Sequence, residues 1–522
     1  MSGAFWHLPQ VSSVTMPASL PLRLAESAQK SPPLRLRNFK EQALTMNLAE
    51  DLKLPVFRLI GEAADELGRD AYIVGGYVRD IFLERTSHDI DFVTVGSGIE
   101  LAERVADKLN RRRSLSVYAT YGTAQVRHGE LELEFVGARR ESYRRDSRNP
   151  IVEDGTLDDD MRRRDFTINA MAISLNADGF GTLVDPFNGI ADLHNRVIRT
   201  PLDPDITFSD DPLRMMRAVR FATQLDFEIL PETFEAIRRN RHRIEIITKE
   251  RINDELSKIM RSPRPSIGFR LLDKAGLLEL IFPQLCALKG VETVEGRGHK
   301  DNFAHTLQVV DNVAQRSDNE WLRWAALMHD IGKAVTKRYD ARLGWTFHNH
   351  NFIGEKMVPR IFKQMKLPLN EKMKYVAKLV GLHMRPQSVG EEIVSDSGVR
   401  RLITDAGEDL DDLMILAEAD ITSKNPAKVR RQLEGFAKLR ERMDQINDAD
   451  ALRNWKAPVN GNEIMEYFGI EPSEVIREVK DAIKEAILEG EIPYTHDDAW
   501  AYLLKIAPQF PALGPKATGG KD

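Results

Sequence analysis

From residue 47 to residue 140 the spacing of apolar positions changes repeatedly, and each change marks an element. Asn47 to Leu67 has helical spacing, Tyr72 to Val74 is a short apolar run closed by Gly75-Gly76, and Ile90, Phe92 and Val93 surround Asp89 and Asp91. The last two segments read as strands joined by a short helix carrying Arg79 and Asp80. Ile99, Leu101, Ala102, Val105 and Leu109 predict a helix over 98–110, followed by strands at 114–117 and 123–127. In LELEFVGAR, Leu131, Leu133 and Phe135 form one face of a strand, with Glu132 and Glu134 on the other. Glu141 to Met161 is polar and irregular and reads as a mobile loop; Phe166 to Leu175 reads as an apolar helix. From about Pro212 onward the pattern is helical nearly to Leu504. The expected architecture is α+β: a head with a small mixed sheet, then an all-α neck, body and tail.

Composition narrows the class. At 522 residues the chain has room for several cores, and 42% hydrophobic with 30% charged residues fits a globular protein. A net charge of −6 leaves any nucleic-acid contact to local basic patches. The single cysteine, Cys286, excludes an internal disulfide framework and fits a reducing cytoplasm. No apolar run approaches a membrane span, and nothing calls for an obligate protein partner. The first 45 residues, with five prolines, several basic residues and few acids, read as a disordered extension or as sequence ahead of a start at Met46.

The chemistry begins at the two aspartates. Asp89 and Asp91 are two apart on a strand and project from one face, where like charges call for a hard divalent cation. If the 131–137 strand is a neighbour, Glu134 completes a three-carboxylate set, with Glu132 as its competitor. Such a set can hold two Mg²⁺ ions, one acting on an attacking hydroxyl and one on a leaving pyrophosphate. Gly75 and Gly76 let backbone N–H groups approach a phosphate at the start of the following helix.

GGYVRD followed by DID resembles the first motif of the polymerase-β nucleotidyltransferase superfamily, and within it the class II tRNA nucleotidyltransferase and bacterial poly(A) polymerase family. RRDFTINAMA resembles that family's second motif, which implies nucleotide contacts from Arg164 and Asn169; Asp165 is either part of this set or a helix cap. The third motif, around Asp185, Gly189, Asp192 and Arg199, reads as structural. SDDPLRMMRAVRF resembles the fourth motif, with Asp210 where the family usually has glutamate. Cytosine and adenine both offer an amino donor beside a ring-nitrogen acceptor, so Asp211 and Arg214, with Arg217 one turn on, suit selection of CTP and ATP by side chains alone. The resemblance implies tRNA as acceptor and places Gly75, Gly76 and Arg79 at the nucleotide as well. Arg251 to Leu256 resembles the fifth motif, and the basic run from Arg238 is either an RNA-backbone contact or a solvated face.

A second constellation comprises His305, His329-Asp330, His350, His383 and Asp420. As an ordered set it resembles the HD domain of metal-dependent phosphohydrolases, implying a second divalent-metal centre and hydrolysis at RNA ends. His348 competes for register with His350. The resulting division is an extension (1–45), a nucleotidyltransferase head (46–200), a neck (201–298), an HD domain (299–425) and a tRNA-binding tail (426–522). The expected activity is template-free addition of C, C and A to tRNA by a cytoplasmic enzyme. Two alternatives share the scaffold: a poly(A) or A-only adding enzyme, and an HD phosphohydrolase with a nucleotide-sensing head.

Overall fold

The computed structural model describes residues 46–142, 151–294, 297–298, 301–391, 395–423, 425–446 and 452–514. The expectations for residues 1–45 lie outside this set. The head is built on a seven-stranded sheet. In chain order its strands are β1 (Ala71–Val74), β2 (Asp89–Thr94), β3 (Leu115–Tyr118), β4 (Thr123–His128) and β5 (Leu131–Gly137), with two further strands described below. β2 lies between β1, antiparallel to it, and β5, parallel to it. A parallel neighbour cannot be reached by a tight hairpin. The chain therefore crosses over through α3 (Gly98–Lys108), β3 and β4 before β5 enters beside β2.

Alternation along these strands decides what is buried. Ile90, Phe92, Leu133 and Phe135 are fully buried on one face, against α1 (Pro55–Glu66) and α3. The Phe92 and Phe135 rings stack with centroids 5.0 Å apart. On the opposite face Val74, Val93, Ala138, Met161 and Ala172 form a small apolar cluster beside the acidic groups.

Three local expectations are corrected. The first helix starts at Pro55, whose fixed φ suits a first helical turn; Asn47 instead bridges to Thr182. Within the supposed loop, β6 (Arg139–Ser142) pairs with β7 (Ile151–Asp154), and α4 (Leu157–Arg162) follows with a Thr156/Asp159 capping box. The apolar stretch after Phe166 is not a helix: a 3₁₀ turn, Thr167–Asn169, leads into β8 (Ala172–Ser174), which pairs with β1 and with β9 (Leu183–Val184). A short apolar run carries no period that separates strand from helix, and the open edge of β1 decides it.

Beyond the sheet come α5 (Gly189–Asn195), α6 (Pro204–Asp210), α7 (Leu213–Leu225), α8 (Pro231–Asn240) and α9 (Lys249–Met260). Helices then continue to Ile506, interrupted by two short strand pairs, Thr293–Val294 with Arg297–Gly298 and Arg338–Asp340 with Gly344–Thr346, that the sequence pattern did not foretell. Head, neck and HD region share one continuous apolar core, and the tail helices from Gly461 to Ile506 enclose a second. Among the described residues no helix is long and apolar enough to cross a membrane. Phe135→Ala, which removes a stacked and fully buried ring, is expected to cost about 3–5 kcal/mol in urea unfolding.

Candidate active site and metal centre

The β2–β5 register sets Asp91 opposite Glu134 and Asp89 opposite Glu132, so four carboxylates share one face of adjacent strands. Glu132 is ion-paired with Arg127 at 3.0 Å, while Glu134 is half-buried beside Asp91. Burial raises the Glu134 carboxyl above its ordinary value; Asp91 and Asp89 push it further, and Arg139 opposes them. Burial likewise raises Asp91, against the pull of Arg164, and raises Asp89, with Glu132 adding to it. Oxygen-only donors with raised proton affinity and unfinished neutralisation are the chemistry a hard divalent cation compensates.

Gly75 brings cationic groups to this face. It has φ 75°, a left-handed conformation that favours glycine, and a side chain there would meet Arg164 Nη1 at 3.1 Å and Asp91 Oδ2 at 3.3 Å. Arg164 is steered from behind by Asp160, a fully buried carboxylate that accepts from it at 2.9 Å and also grips Arg163. Asp160 was missed because it falls in the stretch read as loop; its only sequence signal is position, one helical turn before the arginine.

A second hub is Asp165. Its carboxylate accepts from the Phe166 N–H at 2.8 Å, the Asn169 amide at 3.1 Å and Arg217 Nε at 2.7 Å. Asn169 accepts in turn from Arg79 at 2.9 Å, and Arg79 also pairs with Asp80. Burial opposes ionisation of Asp165, but Arg217 and the hydrogen bonds prevail and lower its pKa to about 2. Arg217 is thus tied to a head carboxylate through its side chain. Asp211 and Arg214 lie beside it: Arg214 donates to the Arg163 carbonyl at 2.7 Å, Asp211 accepts from the Leu213 N–H at 3.1 Å, and Arg251 stands 3.8 Å from the Asp211 carboxylate. One turn further, Arg220 forms an ion pair with Glu255 of α9 at 2.6 Å, both nearly buried. The third-motif residues are structural in their contacts: Asp185 caps the Gly189 and Ile190 N–H groups, and buried Asp192 accepts from Thr167 and Arg199.

The histidine set lies at helix ends. His329, His383 and Asp420 cap the C-termini of Glu320–Met328, Glu371–Leu382 and Leu410–Ala419; His350 opens the helix His350–Met365, and His305 lies within Asn302–Ala314. Carbonyls near helix ends lack helical partners. His329, His350 and His383 each donate Nδ1–H to the carbonyl three residues before, at 2.8, 2.9 and 2.8 Å. That fixes the tautomer of the neutral ring, in which Nε2 is the nitrogen with the lone pair.

These nitrogens surround Asp330. Its Oδ2 lies 3.5 and 3.3 Å from Nε2 of His305 and His329, and its Oδ1 lies 3.3 and 3.9 Å from those of His350 and His383. Asp420 joins the first pair, 2.9 Å from His305 and 3.6 Å from His329. Two groups, His305–His329–Asp420 and Asp330–His350–His383, each gather their ligand atoms within 4.8 Å. Asp89, Asp91 and Glu134 do not gather that closely. Burial disfavours the charged form of His329, but Asp330 and Asp420 override it and raise its pKa to about 10. Its buried Nε2 nonetheless has no well-aligned hydrogen-bond partner, so the site calls for positive charge there, as a proton or a metal. Imidazoles and carboxylates together suit a transition metal. His348 is exposed and outside the set. Gly332 permits this closeness, since a side chain there would meet the His350 carbonyl at 2.1 Å.

The sheet, the acidic face and the helical body define a nucleotidyltransferase with a polymerase-β-like head joined to an HD domain. Residues 71–199 match the poly A polymerase head domain, 226–289 the probable RNA- and SrmB-binding site of polymerase A, and 302–425 the HD domain. The A-adding tRNA nucleotidyltransferase of Deinococcus radiodurans is 31% identical over 452 residues, covering 84% of this chain and 96% of that one. The multifunctional CCA protein of Shewanella frigidimarina is 35% identical over 311 residues, covering 57% and 70%. A solved tRNA nucleotidyltransferase complexed with a primer tRNA and an incoming ATP analogue superposes with TM-score 0.51 at 27% identity, covering 73% of this chain and 98% of that one. A CCA-adding enzyme in complex with ATP gives TM-score 0.60 at 23% identity, covering 89% and 99%, a likeness of fold. The chain belongs to the tRNA nucleotidyltransferase and poly(A) polymerase family.

Asp165→Asn is expected to lower stability at neutral pH by a few kcal/mol, since it leaves Arg217 without its charge partner. The aspartate pKa is depressed on folding, so its contribution is present above the unfolded value of about 3.9 and is lost as pH falls toward about 2. Chemical denaturation between pH 5 and pH 2, at values set by this window, should show a shallower acid dependence in the variant than in the parent protein.

Proposed function

We propose that this enzyme extends the 3′ end of tRNA from CTP and ATP without a nucleic-acid template, completing C, C and A. The observation that carries the reading is the joining of the acidic face to the Asp211–Arg214 pair through Arg164, Asp160 and Asp165. The site is assigned to Asp89, Asp91 and Glu134 as metal-holding carboxylates. Gly75, Gly76, Arg79, Arg164 and Asn169 cradle and orient the nucleotide, and Asp211 and Arg214 read its base. Bound Mg²⁺ would supply charge neutralisation at the triphosphate and lower the pKa of the tRNA hydroxyl. The 3′ oxygen forms a bond to the α-phosphorus, the bond to the bridging oxygen breaks, and pyrophosphate leaves. The chain's own part is placement: Arg164 beside Asp91 faces the phosphates, and an Asp–Arg pair accepts the amine and donates to the ring nitrogen shared by cytosine and adenine. Arg217, first grouped with the base readers, is assigned instead to holding the neck on the head, because Asp165 occupies it.

A second reading, addition of the terminal A alone, is favoured by one observation. The Deinococcus relative matched over nearly its whole length is A-adding. We propose the same domain division, with the HD centre an accessory phosphohydrolase for nucleic-acid phosphate esters in a cytoplasmic enzyme.

Incubation with tRNA ending before CCA, or after CC, and labelled CTP or ATP tests these readings. CTP incorporation is expected; ATP incorporation on the CC-ended tRNA alone would leave A-only addition. Glu134→Gln is expected to lower the addition rate at least 100-fold and Glu132→Gln less than 10-fold, a contrast single-turnover kinetics would measure. Asp330→Asn, which alters the residue common to both histidine groups, is expected to abolish high-affinity Mn²⁺ binding in calorimetry while tRNA extension persists.

A further inference from the structure

The tail presents two grooves of opposite charge. One lies between the helices Gly461–Phe468 and Glu474–Glu489, and its walls include Arg477 and Lys480 against Asp481. Lys480 has no carboxylate partner among the described residues, so this groove suits a phosphate backbone. The other, of about 360 Å³, lies where Gly461–Phe468 meets the helix His496–Ile506, and is lined by Glu463, His496, Asp497, Trp500, Ala501 and Leu504. Its two helices carry Glu463, Glu466, Asp497 and Asp498 against one Lys or Arg, Lys505, at the end away from the acids.

Helical periodicity makes the acidic groove a second face. On His496–Ile506 the buried positions are Ala499, Leu503 and Ile506, whereas Asp497, Trp500, Ala501 and Leu504 follow one another at i, i+3, i+4 and i+7 on the opposite flank. Leu504 is 41% exposed and Ala501 is exposed too, although both are apolar. Trp500 is braced: Tyr467 meets it edge-on at 5.3 Å, and the His496 ring lies nearly parallel to it at 6.1 Å. His496 stands 3.6 Å from the Glu463 carboxylate and 3.3 Å from that of Asp497, whose side chain is fully exposed. Neither carboxylate meets a Lys or Arg among the described residues.

Two carboxylates beside an indole attract a cation twice over, by charge and by the ring quadrupole, and the same carboxylates repel phosphate. Ala501 and Leu504, one turn along, offer apolar surface to whatever carries that cation. Charge complementarity fixes the occupant. A polyamine would satisfy the acids yet leave Leu504 bare, and a second copy of this chain using the same face would set acid against acid. We infer that this groove docks a basic amphipathic segment of a partner protein. An arginine or lysine of the segment sits against Trp500 between Glu463 and Asp497, and an aliphatic side chain about one helical turn away covers Ala501 and Leu504. The inference is independent of which nucleotides the head adds.

The test uses the full-length protein labelled with 5-fluorotryptophan, the Trp500 fluorine resonance being assigned by its loss in Trp500→Phe. The probes are a short amphipathic peptide of Arg, Leu and Ala, its Glu-for-Arg counterpart, a Gly/Arg peptide of equal charge, and a tRNA transcript. The Arg/Leu/Ala peptide is expected to shift the Trp500 resonance saturably. Trp500→Ala should weaken its binding about 10-fold, and Asp497→Lys by about as much or more. Asp497 is fully exposed and meets only His496 among the described residues, so this second variant guards against a tail that loosens without the indole. The Glu peptide should not bind, and the Gly/Arg peptide should bind severalfold more weakly. An unmoved Trp500 resonance, equal affinity of the parent and both variants for the Arg/Leu/Ala peptide, or equal binding of the Gly/Arg peptide would overturn the docking site. A tRNA that shifts the Trp500 resonance when the Arg/Leu/Ala peptide does not would overturn it in favour of an RNA contact.

Discussion

The parallel pairing of β2 with β5 is the constraint on which the head depends. It places Asp91 against Glu134 and Asp89 against Glu132, concentrating negative charge that repels itself and raises every resolved carboxyl in the set. On the acidic face Arg164, Arg139 and Arg127 offset that repulsion only in part. The opposite face supplies the compensation, where Phe92 stacks on Phe135 and Ile90 and Leu133 are fully buried. Because side chains alternate, a slip of one residue would exchange the carboxylates with the phenyl rings. The same packing that stabilises the sheet therefore fixes which acids meet.

Cationic groups come to this face through buried acids, and that is how the neck is joined to the head. Asp160 orients Arg164 toward Gly75, and Asp165 gathers Asn169 and Arg217 from different segments of chain. Phe166 meets Phe221 edge-to-face at 5.8 Å across the same junction, so apolar packing accompanies the ion pair. Breaking one partner of a buried pair leaves an uncompensated charge, which is why such junctions resist sliding. A helix anchored at Arg217, and again at Arg220 through Glu255, holds its first turn at a set distance from the acidic strands. Arg214 occupies that turn, and Asp211 lies just before it, at the end of α6.

Much of this was legible in the chain because the signals were local. Period-two alternation in DIDFV and LELEF, together with Gly75-Gly76, located the strands and the turn, and the order of the histidines located the second centre. What escaped depends on partners distant in sequence. Ala172–Ser174 becomes a strand because β1 offers an unpaired edge, and residues 139–142 pair with 151–154 across a polar stretch lacking any apolar rhythm. Arg217 looked like a member of an arginine row available to nucleotide, since Asp165, 52 residues earlier, gives no local sign that it will claim the guanidinium. Asp420 shows the reverse: indistinct in sequence, it stands 2.9 Å from His305 once the helix ends converge.

The two candidate metal centres also differ in how far the fold alone assembles them, and donor chemistry explains the difference. In the HD centre the imidazoles are oriented by backbone carbonyls, and Asp330 is surrounded by ring nitrogens and Lys333, so attraction and hydrogen bonding draw the donors together. Within each of its two groups the ligand atoms consequently lie within 4.8 Å of one another. In the head every candidate donor is a carboxylate, and the protein's cations, Arg164 and Arg217 toward Asp91 and Arg139 toward Glu134, offset burial only in part. Those oxygens do not gather within 4.8 Å, in keeping with like charges that lack a shared counter-ion. The contrast is one of donor chemistry: mixed imidazole and carboxylate donors can attract and hydrogen-bond one another, whereas carboxylates alone cannot.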